Sequence, residues 1–256
     1  MARSETELMA HLAGGGTVDD AADLAPGYRG EVMRLMVVFV DSELAGAAGF
    51  ADCINRAPGL RERVTAARIV SEKFDHAGRV LDLLAPFGVN AQLYIRSHPW
   101  TARLDRSLDL GNRRVGGDKR LNVFHYPLEG WVDAVTMNML MGTATAIQLG
   151  DLVTCSYRPL AAIMAEVAPR EAEHARLGEI GLAQAIARDG TSLPAQASVD
   201  YWYPRVAATF GRLDSDRFEL YRRFGLRRHS NADLLTTWTQ AIKPRLAALG
   251  LSVPSR

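Results

Sequence analysis

The chain has 256 residues, of which 48% are hydrophobic, and its formal net charge is +1 at pH 7. Such a chain can bury a sizeable core, while its near-neutral charge argues against a general nucleic-acid-binding surface. No apolar run reaches the roughly 18–20 residues of a membrane span, and the first residues lack the pattern of a signal peptide. Only two cysteines occur, so we expect a cytoplasmic protein without a structural disulfide.

Apolar residues recur at helical rather than strand spacing along most of the chain, which predicts an all-α fold. Residues 1–27 are polar and contain a Gly-Gly-Gly run, so we expect a loose arm or a short helix there. The long predicted helices cover residues 28–56, 60–86, 128–150 and 156–188, followed by shorter ones at 197–212 and 230–248. Pro169 should bend the fourth helix because proline lacks the backbone donor.

A connection at residues 88–127 separates the second predicted helix from the third. About 40 residues is long for a connection inside a compact domain, and such length is typical of a functional excursion. Its basic residues are Arg96, Arg103, Arg106, Arg113, Arg114, Lys119 and Arg120. We expect the last four, Arg113, Arg114, Lys119 and Arg120, to bind an anionic group of a substrate, such as a phosphate. The alternative for each of them is an ordinary solvated loop residue.

Ionisable residues lie on the apolar faces of the long helices. Glu171 and His174 are three residues apart, so they share one face of the fourth helix, and this face is otherwise apolar. Asp133 occupies a similar position on the third helix, and Glu43 does so on the first. A carboxylate on an apolar face is costly unless it is paired or binds a metal.

The second helix adds Lys73 and His76 to this pattern. Both lie on its apolar face, with Lys73 near the centre of that face. Glu72 is displaced from Lys73 by roughly 90–100°, onto a polar stripe. Di-iron carboxylate bundles take one acidic ligand from each of two helices and a Glu-x-x-His pair from each of the other two. Five of those six positions are matched here, by Glu43, His76, Asp133, Glu171 and His174.

Two further segments carry a resemblance to a known family. Residues 119–135, KRLNVFHYPLEGWVDAV, combine a basic patch, an F-x-Y-P element and a Trp-x-Asp start of a helix. Residues 227–254 end in Gly-Leu-x-x-Pro. With the helix pattern, these segments resemble the phenylacetic acid catabolic family, and within it the catalytic A subunit of bacterial phenylacetyl-CoA epoxidases, over about residues 30–254.

The resemblance implies a ferritin-like four-helix bundle with additional C-terminal helices, forming one domain over residues 28–256. It further implies a non-haem di-iron monooxygenase that uses O₂ on a small aromatic or acyl-thioester substrate. The four basic residues of the connection would then bind the phosphates of a CoA-type substrate. The five matching residues would be iron ligands. The implied partners are a second copy or a related ferritin-like subunit, and an electron-donating reductase.

Lys73 stands where the family has a ligand glutamate, so the site could hold two, one or no iron ions. Three interpretations remain open. Its ammonium could replace a cation by pairing with Glu43, Asp133 or Glu171. It could be a catalytic base or Schiff-base amine. It could also swing away, with Glu72 reaching the metal through a π-bulge.

Two functions follow from these interpretations of Lys73. One function is the monooxygenase, and the other is a metal-poor homologue that is either a non-oxidative enzyme or a non-catalytic partner subunit. Glu129, one turn before Asp133, is a candidate catalytic or ligand residue, and its alternative is a solvated glutamate at the start of a helix.

Overall fold

The computed structural model describes residues 4–111, 113 and 115–254. The described residues form nine α-helices and no β-strand, which confirms the all-α prediction. The helices are α1 (Glu5–Ala13), α2 (Pro26–Ala51), α3 (Leu60–Leu83), α4 (Ala91–Ser97), α5 (Trp131–Leu152), α6 (Arg158–Asp189), α7 (Leu193–Ala207), α8 (Asp216–Arg223) and α9 (Asn231–Ala248). Among them, no helix combines the length and the apolar character needed to cross a bilayer.

Four long helices, α2, α3, α5 and α6, form the bundle. A short turn joins α2 to α3, and these two pack along each other, as α5 and α6 do. Glycine lets α5 and α6 approach closely, since a Cβ on Gly178 would lie 2.6 Å from the backbone nitrogen of Met139. Contacts between α3 and α6 join the two pairs, while α7 and α9 pack against α5.

The apolar core has two main parts. One combines residues of α2, α3 and α6, including Met36, Val80 and Met164. The other combines α5 with α7 and α9, and it contains the fully buried indoles of Trp202 and Trp238. Four ionisable residues of α2, α3 and α6, Glu43, His76, Glu171 and His174, are also buried, and they form a separate polar centre within the bundle.

The N-terminal segment contains a short helix, one of the two predicted alternatives. The α1 helix begins with a capping box between Ser4 and Glu7, and Leu8 is completely buried in the core. The backbone of Val18 then exchanges hydrogen bonds with Ser156 and Arg158. The described part of this segment is therefore packed against the bundle and is not a loose arm.

The long connection between α3 and α5 is held on α2 by one buried carboxylate. Asp41 accepts hydrogen bonds from the Tyr94 hydroxyl at 2.6 Å, the Trp100 indole at 3.3 Å and the Lys119 backbone at 2.6 Å. Ser42 accepts a further bond from the backbone of Leu121 at 3.0 Å. These bonds fix the segment that closes one side of the polar centre.

Helix boundaries differ from the predicted ones by a few residues. The first long helix ends at Ala51 instead of continuing to residue 56, and α7 begins at Leu193 instead of at residue 197. The short helix α8 was not predicted. Pro169 lies within α6, which continues on both sides of it as one helix, and its ring is exposed at the surface.

Candidate functional site

Three helices bring five of the predicted residues together in the bundle interior. Glu43 comes from α2, while α3 and α6 each supply two residues spaced three apart, which places both on one helical face. Glu171 is completely buried, and the Lys73 side chain is only 12% exposed. We call Glu43, Lys73, His76, Glu171 and His174 the central cluster.

The ammonium of Lys73 lies between the two buried carboxylates. Its Nζ donates a hydrogen bond of 2.6 Å to Oε2 of Glu171. The same nitrogen lies 3.4 Å from both carboxylate oxygens of Glu43. A charged donor bonded to a carboxylate at 2.6 Å is a short charge-assisted bond, so Lys73 is firmly engaged on Glu171.

Both histidines also turn toward Glu171. Nδ1 of His76 lies 3.3 Å from one Glu171 oxygen and 3.8 Å from one Glu43 oxygen. Its ring N–H is not aligned for a hydrogen bond to either, so this attraction is mainly one of charge. His174 contacts the same Glu171 oxygen through Nδ1 at 3.2 Å, and its Nε2 lies 2.6 Å from the Glu72 carboxylate.

The charges of the central cluster balance one another. Burial would raise the pKa of Glu171, but Lys73 and the two histidines hold that pKa well below its ordinary value. Burial would lower the pKa of Lys73, but Glu171 and Glu43 raise it instead. Burial would likewise lower the pKa of His76, but the same two carboxylates raise it to about 9. At neutral pH, an ammonium and an imidazolium therefore face two carboxylates.

The central cluster contains the donor types of a metal site. Ligand atoms of Glu43, His76 and Glu171 lie within 4.8 Å of one another, so these three side chains could hold one ion. Such an ion would have to displace the Lys73 ammonium, which contacts both carboxylates. The raised pKa of Lys73 opposes loss of its proton, so its repulsion of an incoming cation would persist.

A two-iron centre does not fit this donor set. Lys73 lies where the resemblance implies a carboxylate ligand, and no acidic residue of α5 reaches the cluster. Around Lys73, a small cavity of about 40 Å³ is lined from α5 by Met137, Asn138, Met141, Gly142 and Thr145. None of these residues supplies a carboxylate or an imidazole. Four of the six expected ligands are therefore present, instead of the five that the sequence predicted.

The structure does not bring the predicted ligand Asp133 to the central cluster, because its carboxylate points toward α7. One oxygen accepts hydrogen bonds from Ser198 at 2.6 Å and from the Trp202 indole at 2.9 Å. The other accepts bonds from the Arg106 guanidinium and from the backbone of Glu129. Burial would raise the pKa of Asp133, but these donors lower it, so the carboxylate is a charged part of the α5–α7 contact.

Glu129 and Glu72 occupy different environments. The Glu129 side chain is exposed and lies 3.4 Å from the Arg106 guanidinium, outside the central cluster. Glu72 lies at the edge of the polar stripe, where Arg68 is 3.9 Å away, and it also contacts His174. The structure therefore brings Glu72 to the central cluster through a histidine, and it does not bring Glu129 there.

The four predicted phosphate-binding residues do not converge in the part of the chain that the structure describes. Arg120 is buried and pairs with Asp118 at 2.6 Å, and it also donates to three backbone carbonyls of the same connection. Arg113 donates to the carbonyl of Asp109 at the surface, and the Lys119 side chain is exposed. Arg114 lies outside the described residues. Arg120 therefore stabilises the connection itself.

A cleft of about 410 Å³ leads to the central cluster, and sequence reasoning missed it. Glu43 lines the cleft, together with apolar side chains such as Phe39, Phe124 and Met141. Its basic lining residues are Arg34, Arg120, Arg212, Arg217 and Arg227. Only Arg120 belongs to the predicted basic connection; the other four arginines come from distant parts of the chain, so no local motif indicates them. Phe124, Met141 and Thr145 also line the small cavity beside Lys73, so they separate it from the cleft.

An all-α bundle that gathers acidic residues and histidines from three long helices at its centre defines a protein of the ferritin-like class. The family model described as phenylacetic acid catabolic protein matches residues 9–256, and the chain belongs to that family. No curated protein matches the sequence significantly.

Proposed function

We propose that this chain is a metal-free ferritin-like protein in which Lys73 replaces the metal, and that it serves as a non-catalytic partner subunit of an oxygenase assembly. The observation that carries the proposal is the position of the Lys73 ammonium, 2.6 Å from Glu171 and 3.4 Å from Glu43. These are the two carboxylates that a bridging cation would need. The ammonium and the His76 imidazolium together supply the positive charge that keeps both carboxylates buried.

The protonation of Lys73 argues against the alternative of a non-oxidative enzyme. A catalytic base or Schiff-base lysine needs a depressed pKa, so that its amine is neutral near pH 7. Here two carboxylates raise the pKa of Lys73, and its ammonium is engaged on both of them. A charged amine has no lone pair for nucleophilic attack, so a structural role is the better interpretation.

Metal analysis of the purified protein tests the proposal. We expect wild-type protein, produced with ample iron, to contain far less than one iron per chain by elemental analysis. Lys73→Glu supplies the missing carboxylate and removes the competing charge, so this variant should gain iron. Lys73→Met removes the charge without adding a ligand and should gain much less. Two irons per wild-type chain would overturn the proposal.

The cleft favours a second candidate, an iron monooxygenase of the epoxidase or hydroxylase kind. Its arginines suit the anionic group of a small organic acid or an acyl thioester, and its apolar wall ends at Glu43. Glu43, His76, Glu171 and His174 would hold the metal, which would supply O₂ activation. In that case iron would accompany turnover, and Glu171→Ala would abolish both.

A further inference from the structure

The outer face of α3 carries a straight stripe of apolar and small side chains. Leu60 is 79% exposed, Val64 62% and Phe74 45%. Ala67, Ser71 and Gly78 are also exposed, and the spacing of three and four residues places all six on one line along the helix. We call Leu60, Val64, Ala67, Ser71, Phe74 and Gly78 the α3 stripe.

The α3 stripe faces away from the rest of the bundle. The opposite face of α3 buries Ala66, Ile69, Ala77 and Val80 within the protein. A Cβ on Gly78 would meet nothing within 4 Å among the described residues. Single exposed apolar residues are normal on protein surfaces, but several aligned on one helical face are typical of an interface.

Charges beside the α3 stripe are divided along the helix. The N-terminal half exposes Arg61 and Arg63, and the C-terminal half exposes Asp75 and Asp82, while Arg68 near the middle pairs with Glu72 of its own chain at 3.9 Å. Within the described chain, neither Arg61 nor Asp75 has an ion-pair partner. An antiparallel copy of the same helix would place the basic half of each chain against the acidic half of the other, whereas a parallel copy would oppose like charges.

We infer that the α3 stripe docks antiparallel on the same stripe of a second copy of this chain. The contact is isologous, with its two-fold axis near residue 69. In this register Leu60 faces Gly78 of the second copy and Val64 faces Phe74, so large side chains meet small or flat ones. Arg61 comes close to Asp75 of the second copy. The two α3 helices then join two bundles in a non-covalent dimer, and the cleft lies outside this contact.

Sedimentation and light scattering of the full chain test this inference. We expect wild type to show twice the mass of the 28.0 kDa chain. Val64→Glu and Phe74→Glu place a carboxylate in the contact, so each should raise the dimer dissociation constant by about tenfold or more. Leu193→Glu is the matched control, because Leu193 is 76% exposed on α7 and is not part of the stripe.

A charge exchange gives an independent test that leaves the apolar stripe intact. Arg61→Asp and Asp75→Arg should each weaken the dimer, and the double variant should restore it, because the exchanged charges pair again across the two-fold axis. Circular dichroism checks that each variant is folded. The inference is overturned if wild type is monomeric, if it associates only with a different ferritin-like chain, or if Val64→Glu and the single charge variants dimerise as wild type does.

Discussion

Replacing Lys73 by methionine is the sharpest test of the electrostatic argument. Methionine keeps most of the apolar length of the side chain and removes the charge that faces Glu43 and Glu171. Glu171 is completely buried, so its carboxylate would lose its closest cationic partner without gaining water. Breaking a buried ion pair from one side costs about 3–5 kcal/mol of folding free energy. A protein of this size loses roughly 2–4 °C of melting temperature per kcal/mol.

Calorimetry and urea unfolding measure this loss, and α3 itself offers the control. Arg79 lies on the same helix and pairs with Glu166 at 2.8 Å on the surface. Because that pair is exposed, Arg79→Met should cost at most about 1 kcal/mol. Lys73→Met should therefore be several times more destabilising than Arg79→Met.

A second substitution separates charge from packing. Lys73→Met combined with Glu171→Gln removes the unpaired carboxylate together with the ammonium, so the double variant should recover part of the stability that Lys73→Met loses. The reasoning is refuted if Lys73→Met costs no more than Arg79→Met. It is also refuted if Glu171→Gln brings no recovery in the Lys73→Met background.

Two further predictions concern His76 and Asp133. The pKa of His76 is raised from 6.5 to about 9, so its contribution to stability is complete below about pH 6.5 and is lost as the pH rises through 9. The free energy of unfolding should therefore fall by up to about 3 kcal/mol over this pH range. His76→Gln should flatten that part of the stability profile. Asp133→Ala leaves buried donors of Arg106 and Trp202 without their acceptor, so urea unfolding should show a loss of about 3–5 kcal/mol. The exposed Glu129→Ala should change stability by less than about 1 kcal/mol, and neither variant should alter the metal content.

Helical periodicity predicted the central cluster well where a helix has two distinct faces. On α3, buried residues such as Ile69, His76 and Val80 alternate with an exposed face, so the inward direction of Lys73 could be read from the sequence. The same reasoning placed Glu72 on the polar stripe, and it could not show that this half-buried side chain reaches back to His174.

Periodicity failed on α5 because this helix is apolar on nearly all sides. The α5 helix packs against α6, α7 and α9, so one of its apolar faces lies toward the central cluster and another lies toward α7. A helix that is buried all round has no unique inward direction. Asp133 lies on the face toward α7, where Ser198 and Trp202 provide donors that are more than 60 residues away in the sequence. The burial of Arg120 and its pairing with Asp118 could not be predicted for a related reason, because both depend on tertiary packing.

Under the proposed function, the central cluster itself supplies the positive charge that a metal would bring to the bundle. Two carboxylates inside a bundle need about two positive charges nearby, and one divalent ion would supply them. Lys73 and protonated His76 supply the same total from the chain itself, and both approach the carboxylates within 4 Å. The folded state then no longer depends on an ion, but an ammonium can neither change oxidation state nor bind O₂. Under the proposed function, Lys73 keeps the two buried carboxylates neutralised as a metal ion would, but its ammonium supplies no redox chemistry at that position.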